Sequence, residues 1–325
     1  MRSRSGVRCL RVLFATLVCW QGADGAAADH ASKTKQQRLI RRLIRELDSD
    51  RYARRQAATT GLTNIGEPAL PLLKKAIKSP SPEVRYRAKV VIHRVLYGDI
   101  AKRFAQLAAA RKDGDIDLEE GMWLIARIVD GPVKKRDLDR KLDELAAGVR
   151  KRLQSQLGKD VDPAKAPADK AIAAIRHVLF ASEKFTGATE RYDHPANSSL
   201  HHVLKTRKGL PILLSHVVVA VARRLKVPIV GIGISGRYMC KYDGSRAPGG
   251  PVADVIIDPF GAGRILSAAE FRKEMGFVPD LKPDGHRSAL DRMLRNLASD
   301  YDHVGNGEMS RLVREYETLL ERRSP

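Results

Sequence analysis

The chain is short of several things that narrow what it can be. Only three of its 325 residues are cysteines and only 5% are aromatic. Cys9 and Cys19 lie near the start, so a chain trimmed behind them retains Cys240 alone and can close no internal disulfide; stability then has to come from burial. No apolar run approaches the roughly 20 residues of a membrane-spanning helix, so no transmembrane span is expected once the start is removed. His194, His201, His202 and His216 match no metal-ligand spacing such as HExxH, and no metal or cofactor is expected. Acidic residues are also in deficit, with 38 Asp and Glu against 59 Lys and Arg, a formal charge of +21. The basic stretches have no aromatic residues interleaved for stacking on bases, which argues against a nucleic-acid partner.

At the start, Arg2, Arg4, Arg8 and Arg11 precede an apolar run from Val12 to Trp20, and a small-residue patch ends at Ala26-Ala27-Ala28. That is the plan of a secretory signal peptide, with cleavage expected near Ala28 and a periplasmic or extracellular destination. Trp20 after Cys19 argues against lipoprotein processing. Removing residues 1–28 takes away four Arg and Asp24, and the mature chain keeps a formal +18.

From Arg38 to Leu96, apolar residues recur at helical spacing: Leu39, Ile40, Leu43, Ile44 and Leu47, then Ala57, Ala58, Leu62 and Ile65. Breaks at Asp48-Ser49-Asp50, Gly66-Glu67-Pro68 and Ser79-Pro80-Ser81-Pro82 divide the stretch into helical hairpins. The phrase Ser49 to Ala58, with a second start at Ser81 to Ala88, resembles a HEAT repeat over about one and a half repeats, fewer than a free-standing solenoid requires. The helices carry Arg38, Arg41, Arg42, Arg45, Arg51, Arg54 and Arg55, a basic surface able to hold an anionic polymer or lipid, or to stand simply as a solvated face.

Asp113 to Gly121 is rich in carboxylates, but counting from Asp113, Leu118 and Leu124 stand where a calcium loop needs Gly and Glu. Asp117 is instead the expected N-cap of a helix over Leu118 to Ile128. Further helices are expected over Arg136 to Gln156 and Lys170 to Phe180, with a loop at Gly158 to Asp169 between them.

Six phrases in order, Asp117-Leu118-Glu119-Glu120-Gly121, His177-Val178-Leu179-Phe180, Tyr192 to Ser198, Arg207-Lys208-Gly209-Leu210-Pro211-Ile212, Ala222-Arg223-Arg224-Leu225 and Ile257-Asp258-Pro259-Phe260, resemble the SirB-type transglutaminase-like family over about residues 113 to 275. The resemblance implies a papain-like α+β core: a helix from Leu213 to Leu225 and strands at Ile229 to Ile234, Tyr238 to Tyr242 and Val252 to Asp258. The residues agree, because Val217 to Ala222 is apolar enough for a buried helix and Pro228 separates it from the first strand.

An active relative of that core needs a Cys opening the helix, where the helix N-terminus lowers the thiol pKa, then a His base and an Asp or Asn to orient it. The resemblance implies that Pro211 occupies the nucleophile position and Arg237 the His position, which leaves only Asp258 of the triad. Arg237 stays protonated and is no base; an ion pair between Arg237 and Asp258 would be structural or ligand-holding. Cys240 falls on the opposite strand face from Arg237 and reads as a buried thiol. Ser215 and His216, adjacent on a helix, diverge. Asn197, Ser198, Arg237 and Asp258 are the binding candidates that the resemblance would bring to the former active-site groove, and Asn197-Ser198 equally reads as the N-cap of the helix at Leu200 to Thr206.

Beyond Pro283, helices around Leu290 to Leu297 and Met309 to Leu320 flank Gly305-Asn306-Gly307 as one hairpin, resembling the TPR-like hairpin that follows SirB-type cores. The expected organisation is a signal peptide over 1–28, HEAT-like helices over 29–98, a transglutaminase-like domain over 99–282 and the hairpin over 283–325, in a predominantly helical α+β fold. The leading function is non-catalytic binding of a protein or anionic envelope component. The alternative is a cysteine hydrolase or amidase using Cys240, or unfamiliar chemistry around Arg237 and Asp258.

Overall fold

The computed structural model describes residues 18–321 apart from 235 and 277–280. Of the expected signal peptide, residues 1–17 therefore lie outside the described residues. The chain divides into two compact units, residues 1–95 and 96–325.

Unit 1 is built from α1 (Val18–Glu46), α2 (Tyr52–Ile65), α3 (Leu70–Ala76) and most of α4 (Pro82–Tyr97). Its helices end where the sequence is punctuated: Gly66 takes φ 73° after α2, and Pro82 opens α4 at a first-turn position where its missing N–H costs nothing. Ile40, Leu47, Ala58, Leu62, Leu73, Val84, Ala88 and Val91 form its small core.

Unit 2 opens with α5 (Ile100–Ala108), α6 (Leu118–Asp130), α7 (Lys135–Leu157) and α8 (Ala168–Arg176), the last running into a π-helical turn at His177–Ser182. Asp117 caps α6 by accepting from Glu120 N at 3.0 Å, as its position predicts. Leu138, Leu142, Leu145, Val149 and Leu153 make the buried stripe of α7. A two-residue parallel pair, β1 (Thr186–Gly187) with β2 (Lys208–Gly209), brackets α9 (Leu200–Thr206) and was not foreseen, because so short a pair leaves no periodicity. The central α10 (Pro211–Arg224) follows; it starts two residues before the expected Leu213 because proline suits a first helical turn.

The antiparallel sheet has the order β3 (Ile229–Ile234), β4 (Arg237–Tyr242), β5 (Val255–Asp258), β6 (Arg264–Leu266). β5 begins later than the expected Val252, since Val252 N donates to Gly244 O at 2.9 Å and folds the chain back before pairing starts. Then come α11 (Ala268–Met275), α12 (His286–His303) and α13 (Gly307–Glu321). The outcome is a predominantly helical α+β fold with a small antiparallel sheet.

α10 is apolar almost all round, as a central helix must be, and it lies in the main core with α6, α7, α12 and one face of the sheet. α6 and α12 approach so closely that a Cβ at Gly121 would lie 2.4 Å from a Leu290 methyl. The last helix returns to the first of the unit: Tyr316 of α13 stacks on Phe104 of α5 with centroids 5.4 Å apart. Arg287 fastens the same corner, donating to Leu320 O and, at 3.0 Å, to Ala108 O.

Candidate functional site

The start of α10, where a nucleophile would stand, is held by backbone contacts. Arg207, before β2, takes φ 64°, an uncommon conformation for a side chain of its size. Two bonds to Glu183 (2.6 and 3.1 Å) and a position 4.9 Å over the Phe185 ring secure it. Ala188 N donates to Gly209 O, and Leu210 N reaches Asn197 O at 3.4 Å. Pro211, half-buried, is the first residue of the helix, so the position offers neither a thiol nor a hydroxyl.

Side-chain alternation sorts the sheet into two faces. Tyr238, Cys240 and Ile257 join the core around α10, whereas Ile232, Ile234, Met239, Ile256, Leu266 and Phe271 form a separate cluster on the other side. Arg237, in step with Met239, and Asp258, in step with Ile256, belong to that second face, away from α10.

The expected ion pair between Arg237 and Asp258 is replaced by a different set. Asp258 stands opposite Arg264 in the β5–β6 register, 3.6 Å from its guanidinium, and accepts from Gly261 N at 3.1 Å. Arg237 begins β4 beyond the paired stretch of β5, and Glu274 of α11 takes it at 3.3 Å. Glu274 also binds Arg264 at 2.6 Å, and these bonds, that to Arg264 foremost, hold its carboxyl below the usual range. All four charges therefore have partners within the protein.

The other two binding candidates lie elsewhere. Asn197 Nδ2 donates to Arg191 O (2.8 Å) and Tyr192 O (3.1 Å), closing the preceding turn. Ser198 Oγ donates to Asp300 of α12 at 2.8 Å in the interior, where burial raises the Asp300 carboxyl to about 6 against the opposing effect of this bond. The cap of α9 is neither of them: Ser199 accepts from His202 N and also bonds Asp130. The structure thus joins none of the four candidates beyond placing Arg237 and Asp258 on one face.

What sequence reasoning missed is on the α10 face. The His216 ring lies 5.3 Å from the Tyr238 ring, and both its nitrogens, the Ser215 hydroxyl and the Tyr238 hydroxyl are buried without a hydrogen-bond partner among the described residues. Burial, reinforced by His286, lowers His216 to about 3. The Tyr238 hydroxyl faces the Asp284 carboxylate without reaching hydrogen-bond geometry, and burial first and this carboxylate second raise its pKa. Gly231 makes room for that ring, since a Cβ there would meet the Tyr238 hydroxyl at 2.6 Å. The strand register that brings Tyr238 beside His216 leaves no signal in the sequence.

Cys240 is fully buried, with its thiol 3.9 Å from Ile257 O, and burial pushes its pKa upward, further raised by Asp258. A thiol in that state is a poor nucleophile. None of His194, His201, His202 and His216 belongs to a metal-ligating group among the described residues; the acidic trio Asp291, Glu317 and Glu321 is on α12 and α13.

Residues 136–295 match the model of the transglutaminase-like superfamily. Unit 2 carries a transglutaminase-like domain. Over 144 residues the chain is 36% identical to a UPF0162 protein of Xylella fastidiosa, covering 40% of this chain and 48% of that protein. A UPF0162 protein of Pseudomonas aeruginosa is 24% identical over 215 residues, covering 62% of this chain and 70% of its own length. F-box only protein 21 of mouse is 30% identical over 147 residues, covering 44% of this chain and 23% of that protein. The chain thus spans about half the length of the Xylella relative it matches. No solved structure matches it. The matched stretch of the transglutaminase-like domain runs from α7 into α12 and includes Pro211, Arg237, Cys240 and Asp258.

In unit 1, Arg38, Arg41, Arg45, Arg51 and Arg54 are exposed, and Arg42 is exposed beside Glu46 at 3.8 Å. Arg55 does not join the open face: it donates to Ser49 O at 2.7 Å and pairs with Glu83 at 2.9 Å, which uses it to fasten the α1–α2 turn to α4.

Proposed function

We propose that this is an exported, non-catalytic transglutaminase-like protein of the SirB type whose HEAT-like helices and TPR-like hairpin accompany a core that binds instead of reacting. Its role is that of a binding or scaffold module for a protein or anionic envelope partner. The observation that carries the reading is Pro211 at the start of α10, the place where the chemistry needs a thiolate. The rest of the triad gives the same support: Arg237 is paired with Glu274, and Asp258 is paired with Arg264, with no imidazole bonded to it among the described residues. Cys240 supports it too, being closed off in the core. Export rests on the basic, apolar and small-residue succession of residues 1–28.

Alkylation of Cys240 against pH in the native protein tests the catalytic half. Labelling that requires unfolding is expected; rapid native labelling with an apparent pKa below that of a free thiol would instead establish a reactive cysteine and the hydrolase alternative. Export is tested by sequencing the N-terminus of the secreted chain, which is expected to begin just after Ala28.

A further inference from the structure

Residues 32–95 hold sixteen Lys and Arg against five Asp and Glu, a far denser positive charge than the remainder of the chain carries. Most of the acids are already engaged. Glu83 is bound by Arg87 (2.6 Å) and Arg55 (2.9 Å), Glu46 lies beside Arg42 (3.8 Å), and Asp48 accepts from Ser81 Oγ (2.5 Å). Arg41 and Arg45 of α1, Lys75 of α3 and Lys78 just after it are exposed and have no ion-pair partner among the described residues. These four cations rim one groove of about 400 Å³. Its floor is apolar, formed by Ile44, Leu72, Ala76 and Val84.

We infer that this groove between α1, α3 and the start of α4 is the docking site for an acidic peptide segment of a partner protein, with an apolar side chain of the segment seated on the floor and flanking Asp or Glu residues on the rim. The inference rests on the binding-module reading and gives it a place and a ligand chemistry. Charge complementarity selects an anionic ligand, and the apolar floor selects one with a hydrophobic group between its charges. The apolar floor between the cations selects a chain segment that carries a hydrophobic side chain over a headgroup surface that presents charge alone.

The test uses the full secreted chain and a fluorescent peptide with one Leu flanked on both sides by Asp and Glu, read by fluorescence anisotropy. The protein is expected to bind it and to release it as salt is raised. The double variant Arg45→Glu, Lys75→Glu should weaken binding by about tenfold or more, because two attractions become repulsions. Both positions are exposed, and an unchanged circular dichroism spectrum checks that the fold is intact. Replacing the peptide's Leu by Ser should weaken binding by about tenfold through loss of the apolar contact, with no change to the protein at all. Lys89→Glu, equal in charge per substitution but on α4 away from the groove, should leave affinity unchanged. The inference is overturned if Lys89→Glu weakens binding as much per charge as the groove variants do, if the Leu→Ser peptide binds equally well, or if the folded protein ignores the peptide. Capture by phosphatidylglycerol vesicles without peptide binding would overturn it in favour of a lipid surface. None of these results depends on Cys240, so loss of the groove leaves the non-catalytic reading standing, and a reactive Cys240 leaves the groove standing.

Discussion

On the α10 face of the sheet, His216, Tyr238 and Cys240 are buried in the main core, with Arg292 5.6 Å over the Tyr238 ring, and the imidazole and phenol have no hydrogen-bond partner among the described residues. On the α11 face, Arg237, Asp258, Arg264 and Glu274 form a continuous chain of ion pairs, with Arg237, Arg264 and Glu274 well exposed to solvent. One face therefore draws its stability from excluded water and close packing, while the other holds charges that water would solvate nearly as well. Changes of shape and protonation should be costly on the first face and mild on the second.

The largest expected effect is Tyr238→Ala, which empties the space between α10 and β3 and should cost about 3–5 kcal/mol in urea denaturation. Acid comes next. His216 has a folded-state value of about 3, below its ordinary 6.5, so the unfolded chain takes up the proton first as pH falls. The stability owed to the neutral ring is whole above about pH 6.5 and drains away toward pH 3, with a loss of about 2 kcal/mol by pH 5. His216→Leu should flatten this part of the pH–stability curve; if the slope stays, another group is responsible. Asp300 acts with the opposite sign: its raised value of about 6 means that its contribution is present below pH 4 and is lost as pH rises to 6, and Asp300→Asn should remove that fall. Cys240→Ala should cost about 1–2 kcal/mol through the small cavity it leaves, without altering peptide affinity in unit 1. Smallest of all, Arg237→Ala should stay within about 1 kcal/mol, since its pair with Glu274 is solvent-exposed. A loss from Arg237→Ala comparable with that from Tyr238→Ala would mean that the ion-pair face bears weight, and the contrast between the faces would fail.

The helices of both units were legible because their apolar spacing and their Gly, Pro and Asp punctuation act locally. Asp117 was readable as a cap for that reason, and Pro211 as an unfilled nucleophile position because the family resemblance implies a nucleophile there and proline cannot supply one. Partnerships across the fold were not readable. Arg237 and Asp258 share a strand face, but Arg264 comes with a fourth strand too short to show a pattern, and Glu274 arrives from a helix after it. Ser198 looked like a helix cap, and only tertiary structure reveals Asp300 beside it. The basic helices were visible in sequence as a list of arginines; the groove needed Lys75 and Lys78, which fold in from a different helix.

The stack of Phe104 on Tyr316, with Arg287 fastening Ala108 and Leu320, also sets an order of events in folding. Unit 1 closes its core with residues that all precede unit 2, so its folding does not wait for the rest of the chain. Unit 2 has its first helix covered by its last, and that corner cannot be completed until α13 has emerged. Until α13 arrives, the side of α5 that carries Phe104 lacks this cover.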